Sequence, residues 1–176
     1  LRCLDSLPES CAVVPCLNPD GVTLGTRGNA NGVDLNRNFP TEDWQAEPVK
    51  YRWHVVEPEM TIPILTGDAP GSEPETQVLI ELVEKLQPDL VIALHGPLAC
   101  IDDPEKSPEA RWIAEETGLP VVGDVGYPTP GSFGTWCAER DLPVITWEFP
   151  AESVEQISQS QVPTLVKILS GEWPFG

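Results

Sequence analysis

Two apolar runs constrain this chain more than any other feature. Residues 89–94 read Asp-Leu-Val-Ile-Ala-Leu, and residues 143–149 read Pro-Val-Ile-Thr-Trp-Glu-Phe. Runs this continuously apolar suit strands buried on both faces of a sheet rather than strands with one wet face. Each ends near a titratable side chain, His95 after the first and Glu148 within the second. Helix signals fill the intervals. Ser72 and Glu75 have capping-box spacing with Pro74 in the first turn, and Val78, Leu79, Leu82, Val83 and Leu86 follow at helical spacing. Ser107-Pro108 opens a second helix that stops at Gly118. Residues 119–122 predict a short strand and 132–141 a short helix. Residues 152–170 predict a terminal helical region, bent or broken at Pro163. Residues 11–17 (Cys-Ala-Val-Val-Pro-Cys-Leu) read as one more buried strand, and 41–71 as irregular chain. The alternation predicts an α/β fold, with an open, mixed, largely parallel sheet and helices on both faces. A length of 176 residues suits a single domain over 1–176.

Charge narrows the partners. Lys plus Arg number 10 against 28 Asp plus Glu, a formal net charge of -18. Such a chain repels phosphate, which argues against nucleic acid and anionic membrane surfaces. No apolar run reaches the ~18 residues of a membrane span, and residues 1–8 lack the charged-then-apolar order of a secretory leader. The five cysteines, Cys3, Cys11, Cys16, Cys100 and Cys137, are odd in number and contain no Cys-x-x-Cys pair. They predict reduced, mostly buried thiols in a cytoplasmic protein. The 20 Pro and 14 Gly predict shaped loops between short elements.

One such loop, 18–40, carries Asn-Pro-Asp-Gly, Arg-Gly-Asn-Ala-Asn-Gly and Asn-Arg-Asn-Phe-Pro. A long ordered loop in a compact domain is usually functional. Arg27 and Arg37 lie in it among Asn29, Asn31, Asn36 and Asn38. A guanidinium fork suits a carboxylate ligand; the alternative is a loop that uses these side chains to hold itself together. Asp20 and Asp34 read as turn residues. In an open α/β sheet, ligands gather at the carboxyl ends of strands, where His95 and Glu148 stand. His95 is read either as a metal ligand or as a histidine satisfied by backbone. Glu148 is read either as a general base, its pKa raised by burial, or as a structural partner of an Arg. Tyr127, in Gly-Tyr-Pro-Thr-Pro-Gly-Ser, is a phenol that closes on substrate or a packed loop aromatic. His54, in Tyr-Arg-Trp-His, reads as a surface or packing residue.

Asn18-Pro19-Asp20-Gly21, Arg27 and Gly32-Val33-Asp34-Leu35-Asn36-Arg37-Asn38-Phe39-Pro40, followed by a strand-end His and a Glu on a late strand, resemble the zinc carboxypeptidase family. Within it, Leu65-Thr66-Gly67-Asp68-Ala69-Pro70-Gly71-Ser72-Glu73-Pro74-Glu75-Thr76-Gln77, Pro97-Leu98-Ala99-Cys100-Ile101 and Pro130-Gly131-Ser132-Phe133-Gly134-Thr135-Trp136-Cys137-Ala138 resemble its murein-peptide amidases. The resemblance spans most of the chain. It implies one Zn2+ per active site with His95 as a ligand, Glu148 as the base that deprotonates a water, and Arg27 as the group that polarises the scissile carbonyl. Asn36 and Arg37 would hold the substrate's free carboxylate, and Tyr127 would close over it. The implied substrate is the murein tripeptide L-Ala-γ-D-Glu-meso-diaminopimelate, cut at the γ-D-Glu to diaminopimelate amide in cell-wall recycling. A general zinc carboxypeptidase, an N-acyl amino acid deacylase and a zinc-free muropeptide-binding relative would share much of this pattern. The family takes its other two zinc ligands from a His-x-x-Glu upstream of the Asn-Pro-Asp-Gly loop, and no His precedes Asn18 here. Either an N-terminal segment carrying the first strands and those ligands lies outside this chain, or the protein is a metal-free relative; a separate N-terminal segment or a homo-oligomer is the expected protein partner.

Overall fold

The apolar runs form two adjacent strands of one mixed sheet, the first at its edge and the second inside it. The computed structural model describes residues 7–53 and 60–175. Strand β3 (Val91–His95) lies parallel to β6 (Val144–Pro150), β6 lies antiparallel to β4 (Leu98–Asp102), and β4 pairs in parallel with the short β5 (Val121–Val122). The order across the sheet is β3-β6-β4-β5. Strand β4, which falls in the Pro-Leu-Ala-Cys-Ile segment, lacked a strand signal because it is short and follows Gly96-Pro97.

Alternation along these strands separates two faces. Ile145 and Trp147 of β6, with Ile101 of β4, enter a core completed by Ala110 and Ile113 of helix α3 (Pro108–Thr117). Leu165 and Ile168 of α6 (Val162–Leu169) pack against the same core. The opposite parity, Ala93 and His95 of β3, Thr146 and Glu148 of β6 and Cys100 of β4, faces the other way. Helix α3 starts at the predicted Ser107, whose hydroxyl accepts the Ala110 N–H, and ends at Gly118 in the left-handed region. The terminal helical region is broken as predicted: α5 (Val154–Ser160) and α6 meet at Gln161, and Pro163 sits in the first turn of α6, where its missing N–H costs nothing.

The chain divides into two compact units, the sheet unit (Leu1–Val14, Leu90–Tyr127, Val144–Gly176) and a second unit (Pro15–Asp89, Pro128–Pro143). The second unit holds α1 (Pro19–Leu24), a 3-10 turn (Leu35–Arg37), the antiparallel hairpin β1 (Val49–Trp53) and β2 (Met60–Ile64), α2 (Pro74–Leu86) and α4 (Phe133–Ala138). The hairpin corrects the reading of 41–71 as irregular; Pro48 and Pro63 had masked its alternation. Residues 11–17 form no strand, and Val14 and Cys16 are exposed. Pro15 removes a ladder donor in the middle of that run. Helix α2 is capped by position at Glu73 and not by Ser72, whose hydroxyl is spent on the Glu73 carboxylate. Among the described residues the cysteines are all free thiols, but only Cys100 and Cys137 are buried, so burial is less general than predicted. No described helix is long and apolar enough to cross a membrane.

Candidate active site

Parallel pairing in register places His95 opposite Glu148, and the antiparallel pairing on the other side of β6 places Cys100 opposite the same Glu148. The three side chains thus form a row on one face, at strand spacings of about 4.8 Å. Glu148 is 8% exposed, and the Leu98 N–H points to its Oε2 at a long 3.5 Å. Burial, then the neighbouring Glu148 and Asp102 carboxylates, push the Cys100 thiol up to about 11. Cys100 therefore stays a neutral thiol beside Glu148. Tyr127, in the same unit, is 50% exposed.

The second unit positions the Arg and Asn residues. Asn18 caps α1, its Oδ1 accepting the Gly21 N–H while its amide donates to the Arg27 carbonyl. Arg27 Nε donates to Asp34 Oδ2 at 2.7 Å. The other Asp34 oxygen accepts the Asn36 N–H. Asp34 is thus the turn residue predicted and also the orienter of Arg27, a role the sequence did not reveal. Asn36 Oδ1 accepts the Phe133 N–H at 2.8 Å, which turns the amide nitrogen to the opposite side as a donor. Arg37 is buried, with Nη1 on the Asn36 carbonyl. Gly131 passes so close that a Cβ there would lie 2.5 Å from the Arg37 carbonyl oxygen, and its φ of +70° already favours glycine. The loop also holds itself together, as the alternative reading had it. Asn38 donates to the Thr66 and Ala69 carbonyls, and Asn29 and Asn31 donate to Glu73. The Arg and Asn side chains expected to bind an anion and those that structure the loop therefore alternate along it.

The zinc carboxypeptidase family pattern matches residues 9–101, just over half of the chain. This chain belongs to the zinc carboxypeptidase family. Among its relatives, murein peptide amidase A of Escherichia coli (strain K12) is 50% identical over 157 residues, covering 89% of this chain and 65% of the relative. The enzyme of the same name from Vibrio campbellii (strain ATCC BAA-1116) is 45% identical over 169 residues, covering 94% and 68%. The crystal structure of murein-tripeptide amidase MpaA from Escherichia coli O157 superposes with a TM-score of 0.84 at 50% identity, covering 89% of this chain and 66% of that one. Carboxypeptidase A from Helicoverpa armigera shares the fold, with a TM-score of 0.63 at 19% identity. The chain thus spans 65% of the length of the E. coli relative.

The family implies zinc, and a catalytic zinc takes about three protein ligands. Among the described residues no group of three His, Cys, Asp or Glu could hold a metal. His95 is one donor of the right chemistry, but the described residues alone do not complete a zinc site. The chain's other histidine, His54, lies outside the described residues, as does Glu57 with which it makes a His-x-x-Glu spacing downstream of the Asn18 loop.

Proposed function

We propose that this protein is a zinc-dependent amidase that hydrolyses the γ-D-Glu to meso-diaminopimelate bond of the murein tripeptide L-Ala-γ-D-Glu-meso-diaminopimelate, in cytoplasmic cell-wall recycling. The observation that carries the reading is Glu148 beside His95 at the ends of adjacent parallel strands, in a chain half identical to murein peptide amidase A. His95 supplies one zinc ligand, with the remaining ligands outside the described residues.

The roles of this chain's residues follow from their surroundings. Glu148, flanked by Trp147 and Phe149 and walled by the Cys100 thiol, is a carboxylate held out of bulk water. Such a group takes a proton from an attacking water and returns it to the leaving amine. Arg27, oriented through its Nε by Asp34, stabilises the oxyanion of the tetrahedral intermediate, a contribution on the order of 3 kcal/mol for one donor. Arg37 and the Asn36 amide nitrogen grip a free carboxylate of the diaminopimelate residue and so fix which amide is cut. Tyr127 closes over the bound peptide.

The test is hydrolysis of the tripeptide by the full-length protein, followed by mass spectrometry. Release of diaminopimelate, abolished by chelation and restored by zinc, supports the reading. Cleavage of simple C-terminal dipeptides without the tripeptide would make it a general carboxypeptidase. Tripeptide binding that survives chelation without turnover would make it a binding relative.

A further inference from the structure

Glu73, at the start of α2, is 5% exposed and collects three donors. Its Oε2 accepts the Asn29 and Asn31 amides, each at 2.8 Å, and its Oε1 accepts the Ser72 hydroxyl at 2.7 Å. Its own N–H donates to Asn38 Oδ1. A carboxylate this buried is costly unless bonded, and none of these four bonds touches a group given a catalytic or binding role.

What they touch is the loop that carries those groups. Asn29 is a hub. Its amide lies between Glu73 and Glu75, and its Oδ1 accepts the Asn31 and Val33 N–H groups. Its backbone N–H donates to the Val33 carbonyl. That closes the turn leading into Asp34, whose own N–H is held by the Leu65 carbonyl. Asp34 then orients Arg27 with one oxygen and Asn36 with the other. The path from Glu73 runs by hydrogen bonds through Asn29 to Val33, passes along the chain to Asp34, and continues by hydrogen bonds to Arg27 and Asn36.

We propose that Glu73 is a positioning residue that, through Asn29 and Asn31, holds the loop of Arg27, Asn36 and Arg37 in the arrangement that selects a substrate with a free carboxylate. The proposal deepens the functional reading above and rests on it. The geometry also says which replacement serves. A glutamine could accept both Asn amides with its oxygen and donate to Ser72 with its nitrogen, whereas an alanine takes the Glu73 acceptor from the Asn31 amide and leaves the Asn29 amide only Glu75.

The readout is the ratio of kcat/KM for the free-acid tripeptide to that for its diaminopimelate methyl ester, measured on the full-length zinc-loaded protein. In Glu73→Ala the ratio falls by about tenfold, the scale of one charge-assisted hydrogen bond, and Glu73→Gln restores most of it. Loss of folded protein alone would lower both substrates equally and leave the ratio unchanged. An unchanged ratio in Glu73→Ala overturns the proposal. If that variant does not fold, Asn31→Ala, an exposed residue whose amide bonds Glu73, gives a smaller fall in the same ratio, and no fall overturns the proposal equally. A wild-type enzyme that cuts only C-terminal dipeptides refutes the amidase reading, and the ratio taken on free and esterified dipeptides then decides the role of Glu73. A wild type with no preference for the free acid ends both.

Discussion

His95 and Glu148 are register partners at the carboxyl ends of β3 and β6. Parallel strands carry register partners on the same face, so the imidazole and the carboxylate share a side of the sheet although they are far apart in sequence. Glu148→Gln keeps the shape and removes the proton acceptor. Turnover should fall about 100-fold or more, the usual contribution of a general base, while tripeptide binding measured by calorimetry stays near wild type. Turnover close to wild type would falsify the role of Glu148.

Arg37→Ala removes a buried guanidinium from the Asn36 turn. The expected change is a KM for the free-acid tripeptide raised by tenfold or more, from the ~1.5–3 kcal/mol of hydrogen bonds to a charged group, with a much smaller effect on the diaminopimelate ester. Equal losses on acid and ester would assign Arg37 to the loop's structure alone.

Gly131→Ala should damage the same loop from the other side. The new Cβ would meet the Arg37 carbonyl at 2.5 Å in a left-handed backbone. A lowered melting temperature together with a raised KM for the free acid is expected; a variant that melts like wild type would show that the loop yields at no cost.

Thiol reactivity should follow burial. Burial pushes the Cys137 thiol up to about 12, with Arg140 opposing, and burial followed by Glu148 and Asp102 puts Cys100 at about 11. Neither is a thiolate near neutral pH, so the exposed Cys16 should alkylate first in the native protein. Peptide mapping after brief iodoacetamide treatment checks this. For stability the sign follows from the unfolded chain, whose thiols ionise near 9. Above that pH the unfolded state releases protons that the folded state still holds, so stability should fall as pH rises from about 9 toward 12. A denaturation midpoint flat across that window would count against both shifts.

Ile113 of α3 is fully buried in the core with Ile101 and Trp147. Ile113→Ala should cost about 2–5 kcal/mol of stability in denaturant titration. The folded fraction should keep its KM, since the residue lies on the sheet face away from Glu148.

The Glu73 carboxyl adds an acid limit. Burial alone would raise it, but the Asn29, Asn31 and Ser72 hydrogen bonds outweigh burial and hold it below the usual carboxylate range. Its contribution is present above the unfolded carboxylate value and is lost as pH falls through the lower folded one. Glu73→Gln should therefore flatten part of the acid side of the stability profile.

Local chemistry in the sequence determined much of this protein. Continuous apolar runs made β3 and β6 legible as strands, but the burial expected of the first was wrong: β3 is an edge strand of the described sheet and its Leu94 is 44% exposed. Ser107, Gly118 and Pro163 marked helix ends because caps and missing donors act within one turn. The ordered motif around Asn36 and Arg37 carried the family. Only the tertiary structure decided the rest, because those features depend on partners distant in the chain. The pairing of β4 with β6 set Cys100 beside Glu148, and β1 with β2 turned a Pro-interrupted stretch into a hairpin. Residues 11–17 found no strand to pair with among the described residues, so apolar character alone did not make them one. Ser72 lost its capping role to a carboxylate next to it, and Asp34 gained Arg27 through the curvature of the loop. A hydrogen bond across many residues leaves no local periodicity, and that is why Glu73 had no sequence signal beyond its place before a helix.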